Sequence, residues 1–239
     1  GSFSLVVGDI ASASSDNCAI SSSGLSQSAF DCTDLGATTV TVNFSDASGN
    51  ASSCTATVTI ADTISPTMSC LSASVALDGT GNASITAGTV DGGNADACGI
   101  STTTLSVSSF TCTNVGLNLV TVTATDGSGN SGTCIASVTV LDTLAPVIAC
   151  TSATVYLDAN GSYALAGNLL AVGSTDVCGI DTAYAVPALY ACGDIGINSV
   201  QVFVEDPSGN LDSCTTTFTL LDNLAPVAAC DSVALQLGS

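Results

Sequence analysis

Residues 119–142 run LVTVTATDGSGNSGTCIASVTVLD, and their alternation decides the fold. Val120, Val122 and Ala124 fall on one face of an extended chain, Thr121 and Thr123 on the other. That is the two-residue period of a half-buried strand rather than the 3.6-residue period of a helix. After the turn DGSGN, Cys134, Ala136, Val138 and Val140 share one face, so the segment predicts a β-hairpin. The first strand has two counterparts: Val40, Val42 and Phe44, and Val200, Val202 and Val204.

Those counterparts belong to a repeat. The twelve cysteines lie at 18, 32, 54, 70, 98, 112, 134, 150, 178, 192, 214 and 230, and their spacings cycle through 14, 22, 16 and 28 with a period of 80 residues. Gly1, Gly81 and Gly161 keep the same register, as do Asp16, Asp96 and Asp176, Asn50, Asn130 and Asn210, and Pro66, Pro146 and Pro226. A fixed period of this length marks tandem copies of one unit. Further strands are expected at 70–77, 82–89, 99–106 and near 109–112, with no helix. Six or seven short strands per 80 residues predict an all-β chain of three tandem immunoglobulin-like β-sandwich repeats, the first lacking its N-terminal strand.

The order P-x-x-x-C, D-x-C-G-I, F-x-C-x-x-x-G, V-T-V-x-x-x-D-x-S-G-N-x-x-x-C and D-x-x-x-P resembles the hyalin repeat family. The resemblance covers the whole chain in three copies. It implies immunoglobulin-like domains of the kind found in tandem in extracellular adhesion and surface proteins, and a structural or adhesive role rather than an enzymatic one.

Each repeat is expected to begin near its Pro and end at its Asp-x-x-x-Pro segment. The expected divisions are an incomplete first repeat over 1–62, complete repeats over 63–142 and 143–222, and an orphan first strand over 223–239. In that strand Val233, Leu235 and Leu237 match Ala73, Val75, Leu77 and Ala153, Val155, Leu157. Nine residues separate Cys230 from Ser239 and eighteen more reach Cys18 of a second copy. The junction is thus one position shorter than the 28-residue gap inside the chain, at the place of Thr80 and Asn160 in a turn. The expected partner is therefore another copy of the chain, which receives the orphan strand in its incomplete first repeat by strand addition. Head-to-tail contacts of this kind need not close and generate a filament. The alternative is a stalk segment cut from a larger tandem-repeat cell-surface adhesin.

Composition excludes other roles. The chain of 239 residues holds 20 acidic residues and no Lys, Arg or His. Nucleic-acid binding, which neutralises phosphates with Lys and Arg, is not expected, nor is imidazole-dependent catalysis. No apolar run approaches the ~20 residues of a membrane span. The hydrophobic fraction is 46% with only 4% aromatic residues, so the core must be built from Val, Ile, Leu and Ala. Twelve cysteines predict a disulfide framework in an oxidising, secreted or cell-surface location. A chain opening on Gly1 is expected to be a processed form.

Local bridges Cys18–Cys32, Cys98–Cys112 and Cys178–Cys192 are expected. The remaining cysteines allow two schemes. One joins Cys70–Cys134 and Cys150–Cys214, first strand to last, and leaves Cys54 and Cys230 to bridge successive subunits. The other joins Cys54–Cys70, Cys134–Cys150 and Cys214–Cys230, which requires a whole strand to fold back within the ~7 Å reach of a disulfide; the first is preferred. Zinc is disfavoured because no C-x-x-C spacing occurs. No cofactor is required. Calcium is the one candidate, at Asp46, Asp126 and Asp206 in the hairpin turns and Asp62, Asp142 and Asp222 at the boundaries, against a plain turn-forming role for the same residues. Covalent glycans are candidates at the N-x-S sequons Asn43, Asn50, Asn82 and Asn160. The Asp-Thr/Ser-aliphatic triplets at Thr63, Thr143, Thr182 and Ser232 resemble an O-glycosylation signal.

Overall fold

The computed structural model describes residues 1–233. It divides into two compact units. The first comprises Gly1–Val75, Ser84–Phe110 and Gly116–Val140; the second comprises Ala76–Ala83, Thr111–Val115 and the described chain from Leu141.

The first repeat lies in the first unit and contains β1 (Ser2–Ser4), α1 (Val7–Ile10), β2 (Ile20–Leu25), β3 (Ala29–Asp31), β4 (Gly36–Asp46) and β5 (Ala51–Ile60). Its sheet has the order β2-β4-β5, with β1 and β3 paired separately. Leu5, Phe30 and Val40 form the core between these layers.

The middle repeat adds β6 (Ala73–Ala76), β7 (Asn82–Ser84), β8 (Ile100–Leu105), β9 (Ser109–Thr111), β10 (Gly116–Asp126) and β11 (Ser131–Leu141). The hairpin anticipated from residues 119–142 is β10–β11, antiparallel from Gly116↔Val140 to Thr125↔Ser131. Its turn is closed by Asp126 N–H donating to the Asn130 carbonyl at 3.0 Å, with Gly129 at φ +93°, where an L side chain is strained. Val120, Val122, Ala124, Ala136, Val138 and Val140 are all at most 1% exposed, so the face identified from the alternation is the buried one.

The third repeat lies in the second unit, with β12 (Ala153–Tyr156), β13 (Ser162–Ala164), β14 (Thr182–Val186), β15 (Leu189–Ala191), β16 (Gly196–Glu205) and β17 (Leu211–Leu221). Its sheet order is β12-β17-β16-β14, and β13 pairs with β15. β12 runs parallel to β17, placing Val155 opposite Leu220. Leu157 N–H extends the ladder to the Leu221 carbonyl at 3.0 Å. Tyr190 meets Phe218 edge-on, with ring centroids 4.8 Å apart.

The chain is thus all-β, built of tandem sandwich repeats, with a correction at its shortest elements. α1 is a single helical turn where none was expected, and among the described residues five 3₁₀ turns occur, three of them directly after β3, β9 and β15. Those after β3, β9 and β15, and α1, are fastened by short polar side chains that capture nearby backbone N–H groups. Asp31 accepts from Thr33 N–H at 2.8 Å, while Asp34 accepts from Asp31 N–H at 3.0 Å. In α1, Asp9 accepts from Val6 N–H at 2.9 Å. The strand expected over 82–89 ends at Ser84 and is followed by one of these turns, Ala87–Thr89.

Candidate assembly interface

The candidate site is the edge of β5. β11 and β17 each lie between two strands, β6 and β10 in one case and β12 and β16 in the other; among the described residues β5 pairs with β4 and with no other strand. Among the described residues no strand takes the position of β6 or β12 in the first repeat. The side chains that such a strand would cover are correspondingly open. Val58 and Ile60 are half-buried, whereas their counterparts Val138, Val140, Phe218 and Leu220 are at most 1% exposed. Phe44 is half-buried where Ala124 and Val204 are fully buried.

At the other end of β5 lies a cavity of about 320 Å³, lined by Ile20, Phe44, Asp46, Asn50, Ser52 and Cys54 among others. The equivalent place in the middle repeat is filled by the incoming chain. Thr67 and Ala95 exchange backbone hydrogen bonds of 2.8 and 3.0 Å. Pro66 and Met68 pack against Gly132 so closely that a β-carbon there would collide with them. In the third repeat Val147 pairs with Thr175 in the same way, and Ile148 N–H donates to Asp212 at 3.1 Å.

The expected donor residues lie beyond β17. Residues 222–233 form no strand, and Val227 and Val233 are 96% and 77% exposed. Leu235 and Leu237 lie outside the described residues.

The disulfides are distributed in two sets. Cys70–Cys134 and Cys150–Cys214 tie the entry segment of a repeat to its last strand. The local bridges Cys18–Cys32, Cys98–Cys112 and Cys178–Cys192 do not form: Cys32 is bonded to Cys98 and Cys112 to Cys178, each pair with Cα atoms 5.2 Å apart. The third repeat shows the physical reason. Cys178 precedes β14, whose Thr182 lies opposite Glu205 at the far end of β16, while Cys192 sits just before Gly196 at its beginning. Ten residues of strand span about 33 Å, far beyond the reach of a disulfide. Two cysteines fourteen residues apart therefore mark opposite ends of one repeat, and in the middle repeat Cys98 bonds to the preceding repeat and Cys112 to the following one. That signal was present in the sequence, because a strand-length spacing means opposite ends and not proximity. Cys18, Cys54, Cys192 and Cys230 are unpaired and exposed.

Polar contacts repeat at the same boundaries. Asn130 donates its side-chain amide to Asp126 at 2.8 Å and to the Asp62 carbonyl at 3.0 Å. Asn210 donates likewise to Asp206 at 2.8 Å and to the Asp142 carbonyl at 3.2 Å. Asn50 makes the hairpin bond to Asp46, at 2.6 Å. Each hairpin Asn thus fastens its own turn, and in the second and third repeats also the segment leaving the previous repeat.

Among the calcium candidates, the carboxylates of Asp46, Asp126 and Asp206 each accept three N–H donors from their own turn, at 2.6–2.9 Å. Donors converging in this way satisfy an anion without a cation. The Asn50 side-chain bond, with backbone donors, holds Asp46 below the ordinary carboxylate range. At Asp126 burial works upward, but hydrogen bonds from Asn130 and two further backbone groups bring it below that range as well. Asp62 lies near Asp96 and Cys98, and Asp142 near Asp176 and Cys178, but both sulfurs are in disulfides and supply no thiolate. One carboxylate oxygen of Asp62 is buried without a hydrogen-bond partner. Asp222 is exposed and accepts from Leu224 N–H at 2.9 Å. The glycan candidates Asn43, Asn50, Asn82, Asn160, Thr63, Thr143, Thr182 and Ser232 are all on the surface.

No family model and no curated protein sequence matches the chain. Among solved structures, it is similar to protocadherin gamma C5 EC1-3 at 14% identity, covering 78% of this chain and 77% of that one, with a TM-score of 0.35. It is similar to the extracellular cadherin domains 1-4 of protocadherin gamma B7 at 11% identity, covering 80% and 59%, with a TM-score of 0.34. It is also similar to EC1-2 of a human mucin-like protocadherin at 14% identity, covering 64% and 96%, with a TM-score of 0.36.

Proposed function

We propose that the chain is a structural subunit of an extracellular filament that polymerises head to tail, each copy donating residues 226–239 to the first repeat of the next. The observation that carries this reading is the side of β5 left open among the described residues, where the other two repeats hold a strand, β6 or β12.

The occupant is a second copy because its pattern fits the register. β12 places Ala153 opposite Phe218 and Val155 opposite Leu220. One period later these become Val233 opposite Val58 and Leu235 opposite Ile60, with Leu237 in the position of the buried Leu157. Burying Val233, Leu235 and Leu237 contributes roughly 1.5–3 kcal/mol each, and ladder hydrogen bonds add to it, against the entropy of association. Cys230 and Cys54 occupy the positions of Cys150 and Cys214, so the joint is closed by a bridge between them. Four disulfides within the chain suit an extracellular location, since such bonds persist in oxidising surroundings. The hyalin-repeat resemblance agrees with a structural role.

Gel electrophoresis of native material tests the reading. A non-reduced ladder in steps of the 23.2 kDa chain mass, collapsing to one band on reduction, is the expected result. A single much longer polypeptide after reduction would instead make the segment part of a tandem adhesin in which a preceding repeat supplies the strand.

A further inference from the structure

The bridges Cys32–Cys98 and Cys112–Cys178 follow one rule: the cysteine before the long hairpin of one repeat bonds the cysteine of the Asp-x-Cys turn in the next. The rule leaves two half-sites. Cys192 is Cys112 displaced by one period, and Cys18 is Cys178 displaced by two. We propose that Cys192 of one subunit and Cys18 of the next form a second covalent bridge at every filament joint, beside Cys230–Cys54. This deepens the head-to-tail reading and rests on it.

Both half-sites have the local geometry of their bonded counterparts. Cys18 N–H donates to Asp16 at 2.8 Å, as Cys98 and Cys178 donate to Asp96 and Asp176 at 2.7 Å. The residue after it is Ala19 at φ +96°, where Gly99 and Gly179 stand at +93° and +100°. An L side chain disfavours that region, so the first repeat keeps the turn that presents its cysteine even where glycine is lacking. Cys192 Sγ lies 3.6 Å from the Gly161 carbonyl, and a β-carbon on Gly161 would intrude on the sulfur. Gly81 leaves the same room beside Cys112. Both thiols are exposed and unpaired.

Forming the bridge joins the two Sγ atoms and releases two protons and two electrons. A low-molecular-weight disulfide such as oxidised glutathione takes these up and is reduced to two thiols. The outcome is a joint crossed by two disulfides, matching the internal boundaries, where the peptide chain and a disulfide both cross.

The full chain, assembled in a glutathione redox buffer and digested without reduction by a protease cutting before Asp, should yield residues 16–30 disulfide-linked to 181–193. This pair should be equimolar with 46–61 linked to 222–230. Cys192→Ser and Cys230→Ser should each retain a non-reduced ladder, and only the double variant should run as monomer in denaturant while still forming polymers by light scattering. Polymers that contain the 46–61/222–230 pair but lack the 16–30/181–193 pair would overturn the inference and leave strand donation standing. So would a Cys18–Cys192 bond within monomers. Absence of any polymer in native light scattering would remove the head-to-tail reading, and the second bridge with it.

Discussion

The first and third repeats share one motif order, yet their cores differ. In the third, Val155 and Leu157 press against Phe218 and Leu220, and all four are at most 6% exposed. In the first, Val58 and Ile60 stand half-open at a strand edge with no partner among the described residues. Such an edge is a template for another chain. The difference teaches that the core of the first repeat packs without a strand beside β5 among the described residues, because Leu5, Phe30 and Val40 pack between its two layers. Val58 and Ile60 are left without cover among the described residues, and on the proposed reading a second copy supplies it.

The contrast can be broken most strongly at the leucines. Leu157→Ala should destabilise the third repeat by about 2–5 kcal/mol, seen in urea unfolding of the monomer. Leu237→Ala should leave monomer unfolding unchanged and weaken polymerisation instead. Next in size, the Cys150→Ala, Cys214→Ala double variant should lose about 2–4 kcal/mol, whereas Cys54→Ser should leave the monomer midpoint in place. Asn210→Ala removes bonds to both Asp206 and the Asp142 carbonyl and should cost about 1–2 kcal/mol. Asn50→Ala should cost less in the monomer and approach the Asn210 value in the polymer, where the carbonyl of Asp222 is its expected second partner. Ala19→Gly, relieving a positive φ, should gain about 1 kcal/mol, while an alanine at Gly179 should lose a similar amount.

The smallest expected effect is on acid stability. Asp46, Asp126 and Asp158 are held below the ordinary carboxylate range by hydrogen bonds from their own turns. A depressed folded-state value means the stabilisation is complete above the unfolded value and is lost as pH falls through the folded one. The melting temperature should therefore be insensitive to these groups from pH 7 to about pH 4 and decline below it, in the first and third repeats alike.

Much of the fold was legible in the sequence. Alternation at Val120, Val122 and Ala124 identified the buried face, and the 80-residue cysteine cycle located the repeats. Spacing also pointed to Cys70–Cys134, which joins the segment entering the middle repeat, just before β6, to β11, the strand beside β6. It misled at Cys98 and Cys112, because an extended strand carries the chain the length of the repeat between them. The one-turn helix at Val7–Ile10 was invisible, four residues being too few to show a period. The carboxylates were ambiguous from sequence because a turn-forming Asp and a metal-ligating Asp differ only in whether donors or a cation face their oxygens.

Amide hydrogen exchange along β5, compared between monomer and polymer, tests strand donation most directly. The edge amides among residues 58–61, on the side where β17 meets β12, should exchange rapidly in the monomer. In the polymer they should become protected to the level of the matching amides at 218–221. Equal exchange of these amides in monomer and polymer would contradict a donated strand beside β5.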